Sequence, residues 1–158
     1  MGLVRALTAA DNLILKSYRR APLSRLGVID HRAVSRHADA ALNRFGLSVP
    51  PQAAVRVLSG GTIQRVLLAR ELGLQPKAII AMSPTRGLDV GASVAVHRAL
   101  LDARGHGVAT LLISEDLDEL LVLADRLAVM HDGQIAAVLE RRDYDRPRIG
   151  LLMAGGAA

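Results

Sequence analysis

Residues 58–65 read Leu-Ser-Gly-Gly-Thr-Ile-Gln-Arg, and residues 78–89 read Ala-Ile-Ile-Ala-Met-Ser-Pro-Thr-Arg-Gly-Leu-Asp. The two glycines of the first stretch let a backbone approach an anion closely. The helix expected over 62–74 points its free N–H groups and positive dipole end the same way. Ser59 adds a hydroxyl and Gln64 an amide near that mouth, which is equipment for holding a phosphate. The second stretch opens with an apolar run, Ala78 to Met82, stopped by Pro84. Such a run suits a strand buried on both faces of a parallel sheet.

Outward from this centre the chain alternates. A helix is expected over 92–103, a second buried strand over 108–113, a helix from Asp116 through Leu123 and a third strand over 127–130. Asp132-Gly133 is a hairpin signal, so residues 134–139 should return as a fourth strand. Towards the N-terminus, Thr8 and Asp11 form a capping-box start for a helix over 8–16. A basic loop follows from Arg19-Arg20-Ala21-Pro22 to Gly27. Asp30 then caps a helix over 31–45 with Ala33, Val34, Ala38, Ala41, Leu42 and Phe45 on one stripe, ended by Gly46. Strands alternating with helices after a helical start imply an α/β fold. The expected division is a helical subdomain over 1–75, an α/β lobe over 76–140 and a tail over 141–158.

Composition narrows the chemistry. Of the 158 residues 51% are hydrophobic, enough for a core. Only Tyr18, Phe45 and Tyr144 are aromatic, which argues against a base-stacking binder of single strands. Without cysteine there is no disulfide, thiolate zinc site or thiol nucleophile. His31, His37, His97, His106 and His131 lack metal-ligand spacing, so no metal site is expected in the chain itself. The net charge of +5 is concentrated in the first third: residues 1–57 hold nine Lys/Arg against three Asp/Glu. A solvated arginine-rich surface accounts for this more simply than nucleic acid does, although phosphates, anionic lipid or an acidic partner suit it too. Asp116, Asp118 and Glu119 make an acidic first helical turn, and Arg141, Arg142, Arg146 and Arg148 a solvated basic tail. No apolar run reaches the roughly 20 residues of a membrane span, and the N-terminus has no signal-peptide core.

The order of three motifs, Leu-Ser-Gly-Gly-x-x-Gln-Arg, Pro84-Thr-Arg-Gly-Leu-Asp89 and Leu-Leu-Ile-Ser114-Glu115-Asp116, resembles the nucleotide-binding domain of ABC transporters. Pro-Thr-Arg-Gly-Leu-Asp-Val-Gly-Ala and the closing Gly-Leu-Leu-Met-Ala-Gly-Gly are similar to the second ATPase half of simple-sugar and nucleoside importers. The resemblance implies a partial P-loop NTPase (RecA-like) fold with a mostly parallel sheet, an N-terminal helical subdomain and a C-terminal β-hairpin. It makes 58–65 the signature motif, 86–89 the D-loop and Ser114-Glu115-Asp116 the histidine-switch region. Ser59, Gly60, Gly61 and Gln64 would then meet ATP held by a partner domain's P-loop, with Asp89 at the same interface.

Departures from the pattern are as informative. No Gly-x-x-x-x-Gly-Lys-Ser/Thr stretch occurs, and the two lysines, Lys16 and Lys77, follow Leu15 and Pro76. The resemblance places that motif upstream of residue 1, so the chain is expected to be the C-terminal part of a domain. The Asp-Glu pair of the family falls on Met82 and Ser83, and its histidine on Glu115. Neither a thioether nor a neutral hydroxyl replaces a Mg²⁺ carboxylate or a general base. The expectation is an inactive site on these strand ends, with ATP and Mg²⁺ held mainly by a second nucleotide-binding domain. Membrane permease subunits would complete the assembly at the cytoplasmic face of the membrane. A soluble ABC ATPase acting on nucleic acid or ribosomes is the rival reading, and a gene remnant a further one. Without the P-loop strand, the strand over 108–113 should also keep one unpaired edge.

Overall fold

Local capping signals decide where the helices start. In the computed structural model, which describes residues 2–156, α1 (Ala9–Ile14) begins at a complete capping box. The Asp11 N–H donates to Thr8 Oγ1 at 3.1 Å, and the Thr8 N–H donates to the Asp11 carboxylate at 3.2 Å. Fully buried Asn12 then ties down the chain before it, donating to the carbonyls of Val4 and Thr8 and accepting from the Val4 N–H. α2 (His31–Arg44) starts where the Asp30 carboxylate accepts from the Arg32 and Ala33 N–H groups. It stops at Gly46, whose φ of +63° is costless only without a Cβ.

By its contacts the chain divides into two units, residues 1–80 with 84–111 and residues 81–83 with 112–158. The first unit has its core among α1, α2 and α3 (Gly60–Gly73). Leu13, Val34, Ala38, Leu42, Val55 and Val66 are the heart of it. At the rim, Glu71 is held between Lys16 and Arg70, each at 2.7 Å. Burial pushes its carboxyl up, but the two cations outweigh this and hold it below the ordinary 4.5. α4 (Val90–Gly105) packs against α3 and is capped by Asp89.

The basic loop expected over 19–27 is part of an antiparallel hairpin, β1 (Ser24–Arg25) and β2 (Val28–Ile29), turning on Leu26-Gly27. The helix expected over 62–74 starts two residues earlier, with both glycines inside it, because the Ser59 hydroxyl can cap only the turn that follows directly.

β3 (Ala78–Met82) pairs with β4 (Ala109–Ile113). In the first unit the Ala109 N–H donates to the Lys77 carbonyl at 3.0 Å, and in the second the Ser83 N–H donates to the Ile113 carbonyl at 2.7 Å. Both strands ascend together, so the pair is parallel. Among the described residues this is the one parallel pair, and β4 pairs with β3 alone. The other two sheets turn on two-residue loops and must be antiparallel. The result is α/β, as the alternation implies, with the parallel sheet reduced to two strands. Ile80 and Met82 on β3 and Leu111 and Ile113 on β4 are exposed on alternating positions.

In the second unit, α5 (Leu117–Leu123) is capped by Asp116. β5 (Arg126–His131) returns as β6 (Gln134–Glu140) through Asp132-Gly133, with φ of 46° and 75° as a type I′ turn requires. The register shifts by one residue after Val129, a bulge that strengthens the local twist. The segment from 141, expected as a partly ordered tail, contains α6 (Arg146–Met153). Asp145 caps it, Pro147 sits in its first turn, and Ile149 and Leu152 are buried against Leu127, Val129 and Leu139. Two apolar residues at helical spacing suffice once a hairpin face waits for them. Among the described residues no helix is long and apolar enough to cross a membrane.

Candidate functional site

The exposed N-terminus of α3 is built by Ser59. Its backbone is extended (φ −65°, ψ 157°), and its Oγ accepts from the Thr62 N–H at 3.3 Å and lies 2.9 Å from the Thr62 hydroxyl. The Gly60 and Gly61 N–H groups have no partner within the helix, so the positive end of a 14-residue dipole faces outward with two donors.

The two glycines differ. A Cβ on Gly60 would meet no heavy atom within 4 Å, whereas one on Gly61 would lie 2.7 Å from the Ala92 Cβ. Gly61 is therefore the contact at which α3 seats on the first turn of α4. Ala92 is held in turn by Asp89, whose Oδ1 accepts the Ala92 N–H at 2.8 Å. Ser59, Gly60, Gly61 and Asp89 thus form one constellation, with Gln64 half-buried a turn further on. Nothing local marks Ala92 as part of it; only the 31-residue return of the chain brings Ala92 there. Gly60 leaves the helix mouth open on its side, which fits close approach of a phosphate.

Replacing Gly61 by alanine is expected to cost about 1–3 kcal/mol through that overlap, measured as a lowered urea midpoint. Gly60→Ala is expected to leave stability intact or raise it slightly. Ala92→Gly should recover part of the Gly61→Ala loss, and a double-mutant cycle showing no coupling would refute the contact.

Met82, Ser83 and Glu115 all lie in the second unit. The Ser83 N–H donates to the Ile113 carbonyl at 2.7 Å, setting the end of β3 beside the end of β4. Ser83 has φ of +44°, Met82 is 74% exposed, and Glu115 is exposed two residues past β4. Ser114 Oγ accepts the Asp116 N–H at 3.1 Å, which turns the chain into α5. A thioether does not ligate Mg²⁺, and a single neutral hydroxyl does not replace the carboxylate that Mg²⁺ prefers. Among the described residues no three His, Cys, Asp or Glu are grouped to hold a metal.

No family model matches the chain. Among curated proteins it is 39% identical over 156 residues to the nucleoside import ATP-binding protein NupA of Lactococcus lactis, covering 98% of this chain and 31% of that one. It is 38% identical to the guanosine import ATP-binding protein NupO of Bacillus subtilis, over 98% and 30%. To the glucose import ATP-binding protein TsgD13 of Haloferax volcanii it is 37% identical, over 95% and 28%. The chain therefore spans under a third of the length of these relatives. Among solved structures, a nucleotide-free ATP-binding cassette of an ABC transporter matches with TM-score 0.75 and 24% identity, over 94% of this chain and 63% of that one. The ADP conformation of another such cassette gives 0.71 and 24%, over 95% and 60%. In sequence this chain is a homologue of part of the ABC import ATP-binding proteins, and in fold it matches the ATP-binding cassettes of ABC transporters.

Proposed function

We propose that this chain is part of the ATP-binding subunit of an ABC importer for a nucleoside or simple sugar, and that it works by lending the mouth of α3 to ATP held on a partner cassette. The observation that carries this reading is the Ser59–Gly61 helix start seated on Ala92 and Asp89, open at Gly60. Two free N–H groups, a hydroxyl and a dipole end suit the γ-phosphate of a nucleotide whose other phosphates lie elsewhere. Bound MgATP supplies the bond to be hydrolysed; the residues here clamp and orient it and exclude water. Gln64 and Asp89 support that clamp. Met82 and Ser83 leave the end of β3 without the carboxylate pair that Mg²⁺ and water activation need, and Glu115 sets a negative charge where the family has a histidine, so the chain's own strand ends take no catalytic role.

In this reading the helices over 1–75 form the subdomain that docks on membrane permease subunits, residues 76–140 belong to the ATPase lobe, and α6 closes the β5–β6 hairpin. The assembly sits on the cytoplasmic face of the membrane, and nucleic acid has no place in it. Calorimetric titration and light scattering test the proposal together. The chain alone is expected to show no saturable micromolar binding of MgATP. With a cassette carrying an intact P-loop, MgATP should drive one-to-one association. Tight binding by the isolated chain, or association indifferent to nucleotide, would overturn the reading.

A further inference from the structure

The β1–β2 hairpin breaks two local rules at one residue. Its two-residue turn, Leu26-Gly27, has φ of 53° and 82°, the type I′ geometry that favours Asn, Asp or Gly at its first position. The β5–β6 hairpin obeys this with Asp132-Gly133. Here a leucine occupies the left-handed position, and it is 98% exposed. Val28 beside it is 72% exposed, and Ile29 and Tyr18 are exposed as well. Neither the backbone cost nor the apolar exposure is repaid within the chain, and features of this kind persist where something outside uses them.

The surroundings define that partner. Between Ser17 and Ile29 there are three arginines, Arg19, Arg20 and Arg25, and no acidic residue. All three are exposed. The Arg20 carbonyl accepts the N–H groups of Leu23 and Ser24, which fixes that arginine at the base of the hairpin. Arg25 adjoins the tip and pairs across it with Val28, and Arg19 stacks over the Tyr18 ring at 5.4 Å. The Asp30 carboxylate that follows is taken up by the start of α2.

From this we infer that the hairpin is a membrane-contact tip, inserting Leu26 and Val28 among the acyl chains of an anionic bilayer while Arg19, Arg20 and Arg25 engage lipid phosphates. A convex projection with one fully exposed leucine fits a deformable surface. Exposed Tyr18 is of the residue type that lies at the headgroup level, and basic residues add attraction to acidic lipid. The inference goes beyond the nucleotide reading and does not depend on it.

Sedimentation of the full chain with vesicles tests it, using phosphatidylcholine alone and phosphatidylcholine mixed with phosphatidylglycerol. Binding is expected to the mixed vesicles and to fall as salt is raised. Leu26→Asp should weaken it about tenfold or more, with a melting temperature equal to or slightly above the parent's, because the side chain is almost fully exposed and Asp suits the left-handed turn position. Replacing Arg19, Arg20 and Arg25 together by serine should weaken it and abolish the salt dependence. Leu151→Asp, at an exposed apolar position on α6, should change nothing. Binding that survives Leu26→Asp, or that is equal on the two lipids, overturns the proposal. So does failure to bind the mixed vesicles at all, which would assign the tip to an acidic protein surface. None of these variants should alter nucleotide-driven association, so either proposal can fail alone.

Discussion

Ser59→Arg is expected to cut ATP turnover of the assembled cassette pair by about 10²-fold, equivalent to about 2.7 kcal/mol of barrier. The Ser59 hydroxyl sits at the start of α3, 3.3 Å from the Thr62 N–H it caps. An arginine there fills the space that Gly60 leaves open and sets a bulky side chain where a phosphate must approach two backbone donors. Loss of the cap alone costs about 1 kcal/mol of stability, and Ser59→Ala isolates that part. Ser59→Ala is therefore expected to shift the melt as Ser59→Arg does while reducing turnover far less. Single alanines at Met82, Ser83 and Glu115 should leave turnover unchanged, since Met82 and Ser83 put no carboxylate at the end of β3 and Glu115 stands exposed at the same impaired strand ends. Steady-state ATPase measurement on the pair reads all five variants, and unchanged turnover in Ser59→Arg would contradict the clamp.

The largest stability effect is expected at Ile149. Its side chain is 1% exposed and lies in the cluster of Leu127, Val129, Leu139 and Leu152 that joins α6 to the β5–β6 hairpin. Truncation to alanine removes buried carbons and leaves a cavity that a short helix and a two-stranded sheet cannot easily close. The expected cost is about 2–5 kcal/mol, read from urea unfolding followed by amide exchange in 126–131 and 134–140. Leu151→Ala, on the exposed side of the same helix, should stay within about 0.5 kcal/mol of the parent. Equal effects at the two positions would mean that α6 is not docked as described.

Much of the fold is legible locally because the signals are chemical and short in range. Thr8, Asp30, Ser59, Asp89 and Asp116 each carry a side-chain oxygen that can satisfy a helix's first N–H groups, and each caps a helix. Asp132-Gly133 can adopt positive φ at both positions, so the β5–β6 hairpin follows from the dipeptide. The apolar runs of β3 and β4 announce buried strands. What is legible there is strand identity rather than burial: Ile80 and Met82 are each 74% exposed, because β3 and β4 have only each other in the sheet.

The sequence by itself therefore determined the caps at Thr8, Asp30 and Asp116, the α/β alternation, the order of the Ser-Gly-Gly, Thr-Arg-Gly-Leu-Asp and Ser-Glu-Asp motifs, and the lack of carboxylates at Met82 and Ser83. Each cap and each motif is written in residues within a few positions of one another. Tertiary structure alone decided that Gly61 is locked against Ala92 while Gly60 stays open, that Ile149 and Leu152 make a helix of an apparent tail, and that Leu26 stands unburied at a hairpin tip. These are properties of distant segments meeting or failing to meet. Steric overlap at 2.7 Å, a hairpin face that buries two side chains and the exposure of one leucine exist only once the chain has closed on itself.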